Sequence, residues 1–307
     1  MTIIPDWIPV TIAAALFQVW RTALQARLRG SLTPAGAGFV RYLYALPLDY
    51  VLLGVTLLAL DATLPPFGWL FVALCLIGGI AQIIGTNLLI MAFAHRNFVV
   101  GTAYAKTEAA QLVLVSVVIF GAHIPLLAII GIMLAVIGVL VLSLAGEAIT
   151  PATLLRASMQ PAALCGLGAG SAFAVTAIIL RNATLILPTS TPTLLKAMLV
   201  LALANTLQTL AQGSFMAIRT PAELGKTLLL WRRAIPVGIL SALGSGCWFI
   251  GFALTNVALV RGFGQIEILF TLAVGHFYLK ERAKKSEITG LATVGLGIIL
   301  IAAAGIR

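Results

Sequence analysis

Glu108 and Glu267 stand 159 positions apart, each in the middle of a long apolar segment, in a chain with only six Glu. An ionisable group at the centre of an apolar segment is costly and commonly functional. A carboxyl there can carry a proton in one conformation and pair with a cation in another; the alternative role is a permanent ion pair that fixes helix packing. Helical spacing of three and four residues groups Asn97, Gly101, Tyr104, Glu108 and Gln111 into one stripe. The corresponding stripe reads Asn256, Val260, Phe263, Glu267 and Phe270, so the second copy keeps the acid and the Asn and turns aromatic or aliphatic elsewhere. Polar groups recur at the same spacings in Gln18, Arg21 and Gln25 and in Gln82 and Thr86. A polar wall facing an aromatic one suits a small amphiphilic metabolite or a drug-like cation. Lys106, two residues from Glu108, falls on a different helix face and can reach an acid of another helix. Arg21 and Arg41 sit where either snorkelling to headgroups or a binding role is open, Lys196 where snorkelling suffices, and Asp49 beside Pro47 where pairing with an Arg would hold a kinked helix.

The elements that must position these groups follow from composition. At 61% hydrophobic and 9% charged, with a mean hydropathy of +1.11, the chain lies far from soluble domains, which carry about 25% charged residues. The expected class is an all-α integral membrane protein. Ten apolar segments of about 20 residues, the length that crosses a bilayer as helix, fall near 7–27, 35–58, 67–92, 98–119, 125–145, 161–186, 192–211, 234–254, 258–279 and 287–305. Barrel strands would be about half that length with alternating polarity. Met1 to Asp6 has no basic leader, so the first segment is expected to remain as a span.

The offset that pairs the two acids also pairs Gly79 with Gly238, Gly85 with Gly244, Phe93 with Phe252, Asn97 with Asn256, Gly131 with Gly290 and Gly138 with Gly297, without a gap. The chain is therefore expected to be two related five-helix repeats, 1–148 and 149–307. Five is odd, so the second copy enters the membrane from the opposite side and the repeats are inverted, a construction that recurs in transporters with a midplane site. Segments 147–160 and 213–233 are expected as short surface helices, begun by Thr150-Pro151 and by Thr220-Pro221 with Glu223 as a capping box; Thr33-Pro34 and Thr191-Pro192 repeat the start signal.

Other classes find little support. Cys75, Cys165 and Cys247 are scattered, with no His at ligand spacing, so no disulfide framework and no metal site is expected. The net charge of +10 is explained by short loops facing lipid headgroups, and nucleic acid is not an expected partner. Gly166, Gly168 and Gly170 follow no strand and are not a nucleotide fingerprint, and no nucleophile elbow or zinc-protease motif is present, so neither a cofactor nor an enzymatic role is expected.

Arg41 early in the second span, the glycine-punctuated spans five and ten, and Leu279-Lys280-Glu281-Arg282 after span nine resemble the EamA-type members of the drug/metabolite transporter superfamily. The pattern departs from the family at Ala122-His123, Lys106-Thr107-Glu108 and Gln265-Ile266-Glu267. The resemblance implies a multi-pass transporter of the bacterial inner (plasma) membrane, moving small organic solutes by alternating access. Expected cargo, in order, is amino acids or related metabolites, then organic cations including drugs, then metabolite anions held by Lys106 and the arginines. Protons are the expected coupling partner through Glu108 or Glu267, with Gln18, Arg21, Arg41, Gln82, Thr86, Tyr104, Lys106, Gln111 and Phe263 lining the path. Monomer and homodimer both remain open. Twelve basic residues, from Arg27 to Lys285, fall in loops after odd-numbered spans against Arg181, Arg261 and Arg307 opposite; this bias places both termini outside, whereas the resemblance implies both inside.

Overall fold

A computed structural model describes residues 5–28, 30–94, 104–118, 121, 123–143, 159–270 and 285–305. Among them the secondary structure is helical, with no strand. The helices are α1 (Trp7–Leu28), α2 (Pro34–Leu43), α3 (Leu46–Ala59), α4 (Trp69–Ala94), α5 (Glu108–Val118), α6 (Leu126–Ser143), α7 (Pro161–Leu185), α8 (Thr193–Arg219), α9 (Pro221–Leu229), α10 (Trp231–Leu254), α11 (Val257–Phe263) and α12 (Lys285–Gly305). Among the described residues six stretches, Trp7–Gln25, Pro34–Ala59, Trp69–Ala92, Ala163–Leu185, Thr193–Arg219 and Trp231–Leu254, are long and apolar enough to cross a membrane, consistent with a multi-pass membrane protein. The expected surface helix at 147–160, except for Met159 and Gln160, the Lys280-Glu281-Arg282 turn, Asn97 and Gly101 lie outside the described residues.

The most extensive contacts join α6 to α12, α4 to α7 and α1 to α10. Each pair is antiparallel: Gly131 approaches Gly297 and Ile301 while Gly138 approaches Gly290 and Val294, so the partner's numbering falls as that of α6 rises. A Cβ on Gly131 would lie 2.7 Å from the Gly297 carbonyl oxygen, and one on Gly138 2.8 Å from that of Gly290. Backbones this close require residues without side chains, the usual packing device where lipid competes for the same apolar faces. Gly85 meets Phe173 of α7, and Gly244 meets Phe17 and Ala14 of α1. At the centre, α8 is buried along Leu195–Asn205 on almost every side.

Breaks in the helices have identifiable causes. Pro47 lacks an amide hydrogen and crowds the carbonyl four residues back, at Leu43, which is where α2 ends. Gly238 of α10 lies against the Tyr44 backbone at this bend, leaving no room there for a side chain. Thr33 caps α2, its hydroxyl accepting from the Gly36 amide at 3.3 Å. Thr220 makes no such cap on α9. The capping-box expectation for Glu223 is corrected, because its carboxylate accepts instead from the Thr33 amide at 2.5 Å, tying α9 to the start of α2. Helix α8 starts at Thr193 behind Pro192 without a side-chain cap from Thr191.

The segment carrying Glu108 is interrupted. Helical residues 104 and 105 give way to a turn at Lys106-Thr107, and α5 starts at Glu108. The segment carrying Glu267 follows the same plan: α11 ends at Phe263, a 3-10 turn covers Gly264–Ile266, and helix resumes at Glu267. Non-helical backbone survives at membrane depth only where its polar groups find partners inside the protein. Here the freed Lys106 carbonyl accepts from the Gln265 side-chain amide at 3.1 Å, and Asn256 caps α11 by accepting from the Ala258 amide at 2.9 Å.

Candidate functional site

Where the two interrupted segments meet, α1, α2, α4, α10 and α11 enclose a cavity. Its polar lining comes from Gln18, Arg21, Thr22, Gln25, Arg41, Gln82, Thr86, Lys106, Glu108, Ser245, Arg261 and Glu267; its apolar lining includes Leu89, Ile90, Phe173, Trp248 and Phe249. The stripes at Gln18/Arg21/Gln25 and Gln82/Thr86 do converge, because antiparallel packing sets α1 on α10 and α4 on α7 and turns their polar faces to the same space.

Each acid is held by a cation. Glu267 Oε2 accepts from Lys106 Nζ at 2.5 Å and from Gln18 Nε2 at 2.6 Å. Glu108 Oε1 lies 3.0 Å from Arg261 Nε, an ion pair by distance whose alignment falls short of a hydrogen bond. Both pairs are largely withdrawn from solvent, and a buried pair is strong only while both members are present. The Arg261 guanidinium also lies 4.4 Å from the centre of the Trp248 ring and 5.1 Å from that of Phe252, distances at which a ring face attracts a cation. Trp248 Nε1 donates to Gln18 Oε1 at 2.9 Å, which joins the two ion pairs into one network through Gln18 and the indole.

On the α2–α4 side, Thr86 Oγ1 lies 3.3 Å from Arg41 Nη1 and 3.0 Å from the Tyr42 hydroxyl. Gln82 Oε1 accepts from Gln208 at 2.6 Å, and Gln25 donates to the Ala37 carbonyl at 2.9 Å. Arg21 and Arg41 are 6% and 7% exposed, so neither snorkels. Nε and Nη1 of Arg21 are buried with no hydrogen-bond partner among the described residues. Asp49 is bonded to Asn205 at 2.6 Å rather than to an Arg, and Lys196 donates to the Leu187 carbonyl at 3.3 Å.

Gln18, Arg21, Arg41, Gln82, Thr86, Lys106, Glu108 and Glu267 are thus together, while three expected lining residues lie apart. Tyr104 is buried away from the cavity. Gln111 turns to Thr107 and to Ser171 of α7, at 3.0 and 2.8 Å. Phe263 packs edge-on against Trp7 with ring centres 5.5 Å apart. For Tyr104 and Phe263 the turns at Lys106-Thr107 and Gly264–Ile266 change the phase relative to the acids, whereas Gln111 shares α5 with Glu108 and is drawn to Ser171 of α7. Arg261, expected as a loop charge, is inside, as is Trp248; the Asn256 cap places the helix start one turn before Arg261 and could have signalled it.

No protein-family model and no curated protein matches the chain. The solved structures that match include a protein chain superposing with a TM-score of 0.71 at 16% identity, over 96% of this chain and 98% of that one, which is a likeness of fold.

Proposed function

We propose that this chain is a secondary active transporter of small organic solutes, built as ten spans in two inverted halves, 1–148 and 149–307, of the EamA type, in a bacterial inner membrane. The observation that carries the reading is the meeting of two interrupted helices, at positions 159 residues apart, over a buried charged cavity; transporter sites are commonly built from discontinuous helices at a repeat interface. Reciprocal packing supports inversion. The 159-residue offset maps α1 onto α7, α4 onto α10 and α6 onto α12, so the contacts α1–α10 and α4–α7 exchange under it, and the antiparallel pair α6–α12 maps onto itself.

Coupling to protons follows from the acids. Protonating Glu267 would release Lys106 and Gln18, and protonating Glu108 would release Arg261, so either event loosens a bond between the halves. The alternative of an organic-cation exporter is disfavoured, since both carboxylates are already matched to protein cations. Reconstituted in proteoliposomes, the protein is expected to give saturable currents that run uphill on a pH gradient, and Glu267→Gln or Glu108→Gln to lose the pH dependence. Saturable currents indifferent to the gradient in the parent protein would refute coupling, and flux that never saturates would make it a channel.

A further inference from the structure

We propose that the cargo is a small organic anion, held by a carboxylate or phosphate group between Arg21 and Arg41. This deepens the transport reading and rests on it for its flux, but the binding site stands on geometry alone. A guanidinium stays charged and offers donors in a planar fork that matches carboxylate or phosphate oxygens. Arg21 is 6% exposed and lines the cavity with Nε and Nη1 unbonded among the described residues. Arg41, 7% exposed, lines the same cavity as Arg21; its Nη1 donates to the neutral Thr86 hydroxyl at 3.3 Å and its guanidinium lies 5.4 Å from the centre of the Tyr42 ring. Leaving such groups buried without an acceptor is expensive. The two acids of the cavity are each engaged by another cation, Glu108 lying against Arg261 and Glu267 accepting from Lys106 and Gln18, and neither bonds Nε or Nη1 of Arg21. Four cations of the cavity therefore face two carboxylates, leaving two positive charges uncompensated among the described residues. Phe173, Trp248 and Phe249 give the same cavity an apolar wall for the carbon skeleton. A solute with one or two negative charges and a compact organic body satisfies both walls; a cation would add to the excess.

The test uses the full chain in phosphatidylcholine nanodiscs. Thermal unfolding is followed against succinate, glycerol 3-phosphate, leucine and tetraethylammonium, and flux of the same four solutes is measured in phosphatidylcholine proteoliposomes. Succinate or glycerol 3-phosphate is expected to raise Tm saturably, leucine and tetraethylammonium to leave it unchanged. Arg21→Gln and Arg41→Gln are expected to weaken anion binding about tenfold or more, the scale of a lost charge-assisted bond, with Arg21→Lys recovering part of it. Should Arg21→Gln fail to fold, Arg41→Gln carries the same test. Saturable binding of leucine or tetraethylammonium but of neither anion would overturn the anion assignment while leaving the transport reading in place. Anion binding without flux would uphold the site and refute transport. A shift produced by phosphatidylglycerol in the disc, dependent on Arg21 and absent with the soluble anions, would assign the pair to a lipid headgroup and overturn a solute cargo. Silence toward both anions in both assays overturns the proposal.

Discussion

The Glu108–Arg261 pair decides how much of the site is structural. If the pair is an integral part of the fold, Glu108→Gln or Arg261→Gln alone strands a buried charge and should cost about 3 kcal/mol, whereas the double variant should cost clearly less than the sum. Denaturant unfolding of all four proteins in mixed micelles measures the coupling, and additive losses would mean the two groups do not interact. Residues of this kind were legible in the sequence to the extent that polarity alone reveals them. Gln18, Arg21, Arg41, Gln82, Thr86, Lys106, Glu108 and Glu267 are conspicuous because each interrupts an apolar run. Trp248 gave no such signal, since an aromatic residue in an apolar segment reads as packing, and its bond to Gln18 exists only in three dimensions. Arg261 was hidden by a boundary: it follows 27 residues without a charge and stands close to a span start, where a basic residue ordinarily belongs to a loop.

Helix continuity was the harder property to read. Pro47 announces the α2–α3 bend, but neither interrupted segment contains Pro, and the turns at Lys106-Thr107 and Gly264–Ile266 depend on a partner half a chain away. Gln265→Ala removes the donor to the Lys106 carbonyl and is expected to destabilise by about 1–3 kcal/mol, the cost of stranding a buried polar group. The Lys106 carbonyl rather than lost packing is responsible if Gln265→Asn restores part of the loss. The glycine pattern, by contrast, was legible, and it separates into contacts and spacers. Gly297→Ala would place its Cβ 2.5 Å from the Gly131 carbonyl oxygen, whereas a Cβ at Gly295, two residues away on the same helix, meets nothing within 4 Å. Gly297→Ala should therefore loosen the α6–α12 contact by about 1–3 kcal/mol. Gly295→Ala should be neutral or stabilising by up to about 1 kcal/mol through helix propensity. Equal Tm values for the two variants would show that the crossing is not tight.

At the scale of the whole molecule, inversion makes a claim about sidedness that needs no substrate. Asp61 follows the helix pair α2–α3, and Thr220, its counterpart at the 159-residue offset, follows α8; both are exposed. If each half crosses five times, five crossings separate them and they must face opposite sides of the membrane; an even number would put them on the same side. Among the described residues six stretches meet the length criterion for crossing, and Glu108–Val118, Leu126–Val141 and Ala292–Gly305 are shorter apolar helices. Parity at the loops tests the count directly. Cys75 is buried and Cys165 and Cys247 are partly so, and a background with all three replaced by Ala removes them as competing targets. In that background Asp61→Cys and Thr220→Cys are expected to react with a membrane-impermeant maleimide from opposite sides, one in intact spheroplasts and the other only in inverted vesicles. The same preparations fix the orientation, because the connection from the end of α8 through α9 to the start of α10 carries Arg219, Lys226, Arg232 and Arg233 and basic connections stay on the cytoplasmic side. Thr220→Cys should thus be the one shielded in spheroplasts. Labelling of both from one side would refute inversion and with it the proposed alternating access, which would exchange the α1–α10 and α4–α7 contacts.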